Sequence, residues 1–237
     1  MSIYVLIHGA WHGGWCWEKI VPLFKREGHK VEAPDLPGHG NDKTPIHEIS
    51  LEAYTNRVCE ILDAQTEPVI LVGHSMGGVV ITQAAEYRPQ KIEKLVYLTA
   101  FLLQNGEFLH QYGEADKDAL ILPNLIMAED QSYTTVRGDA LKEVFYGDCS
   151  DEDVMKAKSL LVPQAAAPLI TPVNTSPNNF GRVPRIYISC SRDRAISPSI
   201  QKKMYSNLPC KKVIRMDTSH SPFFSAPEEL VGHLLSL

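Results

Sequence analysis

The sequence predicts an α/β fold: a mainly parallel sheet flanked by helices, with a helical cap inserted before the last two strands. Three observations predict it. Apolar, β-branched runs at residues 2–8, 68–72, 94–99 and 185–190 lack the alternation of a half-exposed strand, so they read as strands covered on both faces. Segments of helical period separate most of them, and parallel neighbours need such crossovers. From residue 101 the runs stop, and they resume near 185, a gap of about 80 residues that no ordinary connection fills.

The first run ends in Gly9-Ala10-Trp11-His12-Gly13-Gly14, which is loop chemistry. Residues 15–27 place Trp17, Ile20, Val21 and Phe24 on one helical face, and Gly28 suits the position just past a helix end. Residues 30–33 form a short strand and 34–40 an irregular loop. Ser50 is an N-cap for a helix through Leu62, with Glu52 complementing the dipole in its first turn. A buried strand at 68–72, a helix at 75–87 and a strand at 94–99 follow. Within 101–182, helical stretches at 140–145 and 151–161 alternate with polar loops that contain proline. A strand at 185–190, a helix at 197–208, a strand at 211–216 and a helix at 222–235 close the chain. The expected organisation is a core of residues 1–100 and 183–237 with a cap of 101–182. That cap would roof a crevice at the carboxyl ends of the strands.

A chain of 237 residues suits one large domain. Its 23 Lys+Arg against 28 Asp+Glu give a net charge of −5. So mild an acidity offers no bulk attraction for nucleic acid or an anionic membrane. No apolar run approaches the roughly 20 residues of a membrane span. No basic segment followed by an apolar run opens the chain as a signal peptide would. The five cysteines are odd in number and show neither CxxC nor metal spacing, so they read as free thiols in a reducing cytoplasm. None of the nine histidines falls in an HExxH pattern. His8 and His12 are four apart, but the glycines around them argue for a loop. No metal or other cofactor is expected.

The chemistry centres on Gly73-His74-Ser75-Met76-Gly77. This pentapeptide follows a strand and opens a helix, as a nucleophile elbow does. The sharp turn pushes the Ser75 hydroxyl out of the sheet. Side chains at 73 and 77 would meet neighbouring backbone, hence the glycines. A serine nucleophile needs a base and a group that orients the base. In elbow hydrolases both follow the serine in the chain. His220 fits the base, since it lies in a loop between the last strand and the last helix. His110 falls in the insertion and His233 inside the final helix; the other histidines precede Ser75. Asp193, just past the strand at 185–190, is the candidate orienter. Asp217, three residues before His220, is the alternative. Acyl transfer also needs donors for the oxyanion. Met76 N–H, next to the nucleophile, supplies one, and Ala10 N–H in the loop after the first strand is the candidate for the other. His8 reads as a residue that holds this loop.

With these residues assembled, the chain resembles an α/β-hydrolase, and within that group the plant methylesterase and hydroxynitrile lyase family with its bacterial relatives. The resemblance rests on His8-Gly-Ala-Trp-His-Gly-Gly-Trp-Cys-Trp17, Val72-Gly-His-Ser-Met-Gly-Gly78 and Tyr87-Arg-Pro-Gln-Lys-Ile92. It continues through Cys149-Ser-Asp-Glu-Asp153, Ser159-Leu-Leu-Val-Pro163, Asp193 and His220, and so covers nearly the whole chain. It implies hydrolysis of small carboxylic esters, or cleavage of cyanohydrins, without a cofactor. The lyases of this family carry lysine immediately after the catalytic histidine; Ser221 stands there and is uncharged. Methylketone-forming relatives lack the serine that Ser75 provides. The loop Asp35-Leu-Pro-Gly-His-Gly40 is the general α/β-hydrolase version, which points to a bacterial or generalist member.

The expected function is therefore a serine esterase that takes a small-molecule ester through an acyl-enzyme. Two alternatives share the scaffold: a hydroxynitrile lyase-like or other C–C lyase, and a ligand-binding receptor derived from a hydrolase. Candidate pocket walls are Trp11, Phe101, Leu125, Phe145 and Leu161. Their apolar character suits a medium-sized apolar or aromatic group, although the same residues could simply pack the cap. A homodimer is compatible with this reading.

Overall fold

A computed structural model describes residues 1–237, and the predicted strands appear in it in the predicted order. The first part of the chain runs β1 (Ile3–Ile7), α1 (Ile20–Arg26), β2 (Lys30–Glu32), α2 (Leu51–Ala64), β3 (Val69–His74), α3 (Gly77–Tyr87) and β4 (Ile92–Leu98). The long intervening segment holds α4 (Leu109–Ala115), β5 (Leu125–Met127), β6 (Tyr133–Val136), α5 (Leu141–Phe145), α6 (Asp151–Leu160), β7 (Gln164–Ala165) and α7 (Ala167–Ile170). The chain closes with β8 (Arg185–Cys190), α8 (Pro198–Asn207), β9 (Lys212–Met216), α9 (Pro222–Ser225) and α10 (Pro227–Leu235).

Six strands form one parallel sheet in the order β2-β1-β3-β4-β8-β9. Val5, Leu71 and Leu95 lie in register across β1, β3 and β4. All five residues of β1 and all six of β3 are buried, as runs without alternation require when helices cover both faces. From β1 the chain moves to one side for β2 and to the other for β3. That reversal is the topological switch point, and it opens a crevice beyond the carboxyl ends of β1 and β3.

Local signals set several boundaries. The Ser50 hydroxyl accepts the Ala53 N–H at 3.0 Å and caps α2 as expected. Gly28, at φ 79°, follows α1; its N–H reaches Lys25 O and that of His29 reaches Phe24 O, so the last carbonyls are satisfied. Other boundaries depart from helical periodicity. The expected helix at 15–27 is a 3₁₀ turn (Gly14–Trp17) followed by α1, because Pro22 has no N–H to give to Glu18 and fits only in a first turn. The final helix breaks at Ala226, at φ −145° and ψ 54°, because Pro227 excludes helical backbone before it.

The segment between β4 and β8 also contains a three-stranded antiparallel sheet, β5-β6-β7. Strands of three, four and two residues are too short to show alternation in a sequence. Leu141, Val144, Phe145 and Tyr146 of this segment belong to the same buried cluster as the strands of the large sheet. No helix is long and apolar enough to cross a membrane.

Candidate active site

Ser75 sits immediately past β3 at φ 53°, in the left-handed region that a residue with a side chain seldom occupies. Such strain costs on the order of 1–3 kcal/mol and persists only where the surroundings over-determine it. They do so here. Ser75 carbonyl accepts N–H groups from Phe101 at 3.1 Å and Gly78 at 3.0 Å. A Cβ on Gly77 would stand 2.7 Å from Ile7 O, and one on Gly73 would stand 2.6 Å from Gly77 O. The close approach of the turn to β1 thus requires Gly77, and the tight fold of the turn on itself requires Gly73.

Asp193 follows β8 and His220 follows β9, at the same edge of the sheet as Ser75. His220 Nδ1–H donates to Asp193 Oδ2 at 2.7 Å, and both side chains are buried. The remaining acceptor capacity of Asp193 is filled: Oδ1 takes the N–H groups of Ala195 at 2.6 Å and Ile196 at 2.9 Å, and the Thr99 hydroxyl donates to Oδ2. A buried carboxylate is tolerable only with such pairing. Because Nδ1 carries the hydrogen, Nε2 is the basic nitrogen. Asp217, the sequence alternative, is exposed and accepts the Ser191 hydroxyl at 2.7 Å, with Arg192 at 3.3 Å. His220 is tied to the elbow by its backbone, whose carbonyl accepts His74 Nε2–H at 2.8 Å. A hydrogen bond from Ser75 to His220 is not formed in this structure; nucleophile–base contacts commonly tighten only with substrate bound.

Ala10 and Met76 line the same cavity as Ser75. Neither backbone N–H donates to a carbonyl of the surrounding turns and loops. The loop that carries Ala10 is held by neutral histidines. His12 Nδ1–H donates to Ala10 O at 2.8 Å, and its Nε2 accepts the Tyr146 hydroxyl at 2.7 Å. His39 Nδ1–H donates to His12 O at 2.6 Å. His8 Nε2 accepts Leu36 N–H at 3.1 Å, which ties the loop to its neighbour as the sequence suggested. Burial pushes His12 and His39 down to about 4, and His8 and His74 well below the ordinary histidine range. All four are therefore neutral, as the acceptor roles of His8 Nε2 and His12 Nε2 demand.

Of the candidate pocket walls, Trp11, Phe101 and Leu125 line the cavity at Ser75. Phe145 and Leu161 do not. Phe145 is buried behind the site, with its ring 5.7 Å from those of His220 and Trp11. Leu161 lies on a separate shallow groove with Leu141 and Val136. Apolarity alone cannot separate a wall from a packing residue. Sequence reasoning missed Leu109, Ile121, Leu122 and Leu169 of the wall, and also Thr99 and His74. Thr99 had a usable signal, since it is polar and directly follows a strand at the sheet edge shared by Ser75 and Asp193.

Fold and site together define an α/β-hydrolase. The chain belongs to the Alpha/beta hydrolase family, whose model matches residues 4–233. It is 34% identical over 235 residues to the Pyrethroid hydrolase of Sphingobium wenxiniae, covering 95% of this chain and 84% of that one. It is 31% identical over 251 residues to Methylesterase 9 of Arabidopsis thaliana, covering 100% and 98%. Among solved structures, a pyrethroid hydrolase from Sphingobium faniae superimposes with a TM-score of 0.89 at 30% identity, covering 99% of this chain and 96% of that one.

Proposed function

We propose that the protein is a serine carboxylic ester hydrolase that turns over small esters through an acyl-enzyme. The observation that carries this reading is the strained Ser75 at the switch point, set between two uncommitted N–H groups, with the buried His220–Asp193 pair on the same edge. Ester-hydrolysing relatives support it.

In this reading Ser75 Oγ attacks the ester carbonyl while His220 Nε2 takes its proton. Asp193 holds the imidazole in the Nδ1–H tautomer and stabilises the imidazolium that forms. The oxyanion is met by Ala10 and Met76 N–H, and each such donor contributes about 2.7–4 kcal/mol. His220 returns the proton to the leaving alkoxide, and water, activated by the same base, releases the acid. Residues 101–182 act as the cap that walls the cavity. Five free thiols suit a reducing compartment and support a cytoplasmic location.

Size narrows the substrate. Eleven of the 14 lining residues are apolar, and the free interior is only about 50 Å³. Pockets for drug-sized ligands run to roughly 300–1,000 Å³. A short, uncharged acyl group therefore fits best, and longer ones require the walls at Leu109, Leu122 and Leu125 to move. The test is a panel of p-nitrophenyl esters of increasing acyl length. We expect a burst, a covalent adduct on Ser75, and rates that fall as the acyl chain grows. Efficient cleavage of mandelonitrile with every small ester untouched would overturn the assignment in favour of the lyase.

A further inference from the structure

The reaction above uses the cap only as a wall, yet one cap carboxylate reaches both loops that carry His220 and Asp193. Asp148 lies between α5 and α6. Its Oδ2 accepts the Ser219 backbone N–H at 2.9 Å, and its Oδ1 accepts the Ser219 hydroxyl. Arg192 Nη2 donates to Oδ2 at 3.2 Å. Ser219 immediately precedes His220, and Arg192 immediately precedes Asp193. Arg192 N–H in turn donates to Thr218 O at 3.0 Å, so the two loops are also laced to each other. Only 13% of the Asp148 side chain is exposed, whereas Arg192 is about half exposed. Solvent screens the arginine pair, so it contributes little. The clamp on Ser219 is the strong element, since a carboxylate receives an N–H and an O–H from a single residue.

We infer that Asp148 is a positioning residue for the base. Its carboxylate pins the backbone of Ser219 from the cap side, while His74 pins the carbonyl of His220 from the elbow side. Those two tethers hold the backbone of His220 from both sides, while Asp193 holds its imidazole. Seating of the cap and alignment of the base become one event: a cap that lifts withdraws Asp148 and releases the loop. This inference rests on the esterase reading, in which His220 acts on Ser75. A displacement of about 1 Å at a reacting group can cost on the order of 100-fold in rate.

The experiment measures p-nitrophenyl acetate hydrolysis by wild type, Asp148→Ala, Asp148→Asn and Ser75→Ala, with rates expressed per active site titrated by the burst. Asp148→Ala should lower kcat per titrated site by about 10- to 100-fold and leave KM within about twofold. Asp148→Asn keeps one oxygen for the Ser219 N–H but loses the charge, so it should fall between wild type and alanine. A merely structural role would lower the melting temperature and the number of titratable sites without changing kcat per site. Folded Asp148→Ala with kcat per site within about twofold of wild type overturns the inference. If alanine does not fold, an unchanged kcat per site in Asp148→Asn overturns it equally. Ser75→Ala keeps the two readings apart. Wild-type activity in that variant sinks the esterase reading itself, whereas its inactivity beside a fully active Asp148→Ala sinks only the clamp.

Discussion

Ser75 combines backbone strain with the nucleophile role proposed for it, and the two can be separated by substitution. Ser75→Ala keeps the left-handed backbone and removes only the hydroxyl. Ester hydrolysis should fall by several orders of magnitude, toward the residual about 10³–10⁴-fold over water that binding and the oxyanion donors supply. The fold should remain intact. Ser75→Gly should be equally inactive yet more stable than Ser75→Ala, by up to about 1 kcal/mol, because the roughly 1–2 kcal/mol left-handed penalty that glycine escapes at φ 53° outweighs its greater unfolded-state entropy. Denaturant titration of the two variants measures the difference; a glycine variant less stable than alanine would show that the turn is unstrained. At the acid position, Asp193→Asn should lose most activity, since the carboxylate faces His220 Nδ1 at 2.7 Å. Asp217→Asn should lose little, since Asp217 faces Ser191 and solvent. The reverse ranking would transfer the orienting role to Asp217.

At the scale of elements, the elbow is where β3, α3 and β1 meet with no room to spare. Gly77→Ala would put a methyl group 2.7 Å from Ile7 O, so β1 or α3 must shift. Overpacking of this kind costs about 1–3 kcal/mol, read as a lower melting temperature. A variant as stable as wild type would mean that the two elements move apart freely. The segment between β4 and β8 makes its own link to the loop after β1 through Tyr146 and His12. Tyr146→Phe leaves His12 Nε2 buried without a donor, which should cost about 1–3 kcal/mol in chemical denaturation. This hydrogen bond was not legible in sequence, because it joins residues 134 positions apart. The final helix teaches a related lesson: apolar spacing runs through residues 222–235, but Pro227 divides them, so backbone chemistry overrides periodicity.

For the whole molecule, the buried neutral histidines make stability depend on pH in a definite direction. In the folded state burial lowers His12 and His39 to about 4, from an ordinary value of 6.5. The unfolded chain therefore binds protons first as pH falls. The stability that these residues support is intact above about pH 6.5 and is lost progressively between 6.5 and about 4. Melting temperatures measured across that window should fall steadily. His12→Gln, which removes one titrating group, should flatten part of the slope; an unchanged slope would remove His12 from the account.

Sequence alone was enough where chemistry is local. Buried parallel strands announce themselves as unalternated apolar runs, and the elbow as strand, Gly-x-Ser-x-Gly and helix. The candidates Ser75, Met76 and Ala10 were read from their chain neighbours, and the structure sets all three on one cavity. His220 and Asp193 needed chain order and the ends of the last two strands, because every carboxyl end of a parallel sheet lies on one edge. Tertiary structure decided everything that depends on what lies across a gap. It placed Asp193 rather than Asp217 against the His220 ring, and it put Thr99 on the same carboxylate. It set Trp11, Phe101 and Leu125 on the cavity wall and took Phe145 and Leu161 away from it. It also folded the short strands of the insertion into a sheet of their own. The physical reason is common to all of these. Residue type and spacing report what a side chain can do and which face of its own element it occupies, but a partner on another element is selected only when the whole chain packs.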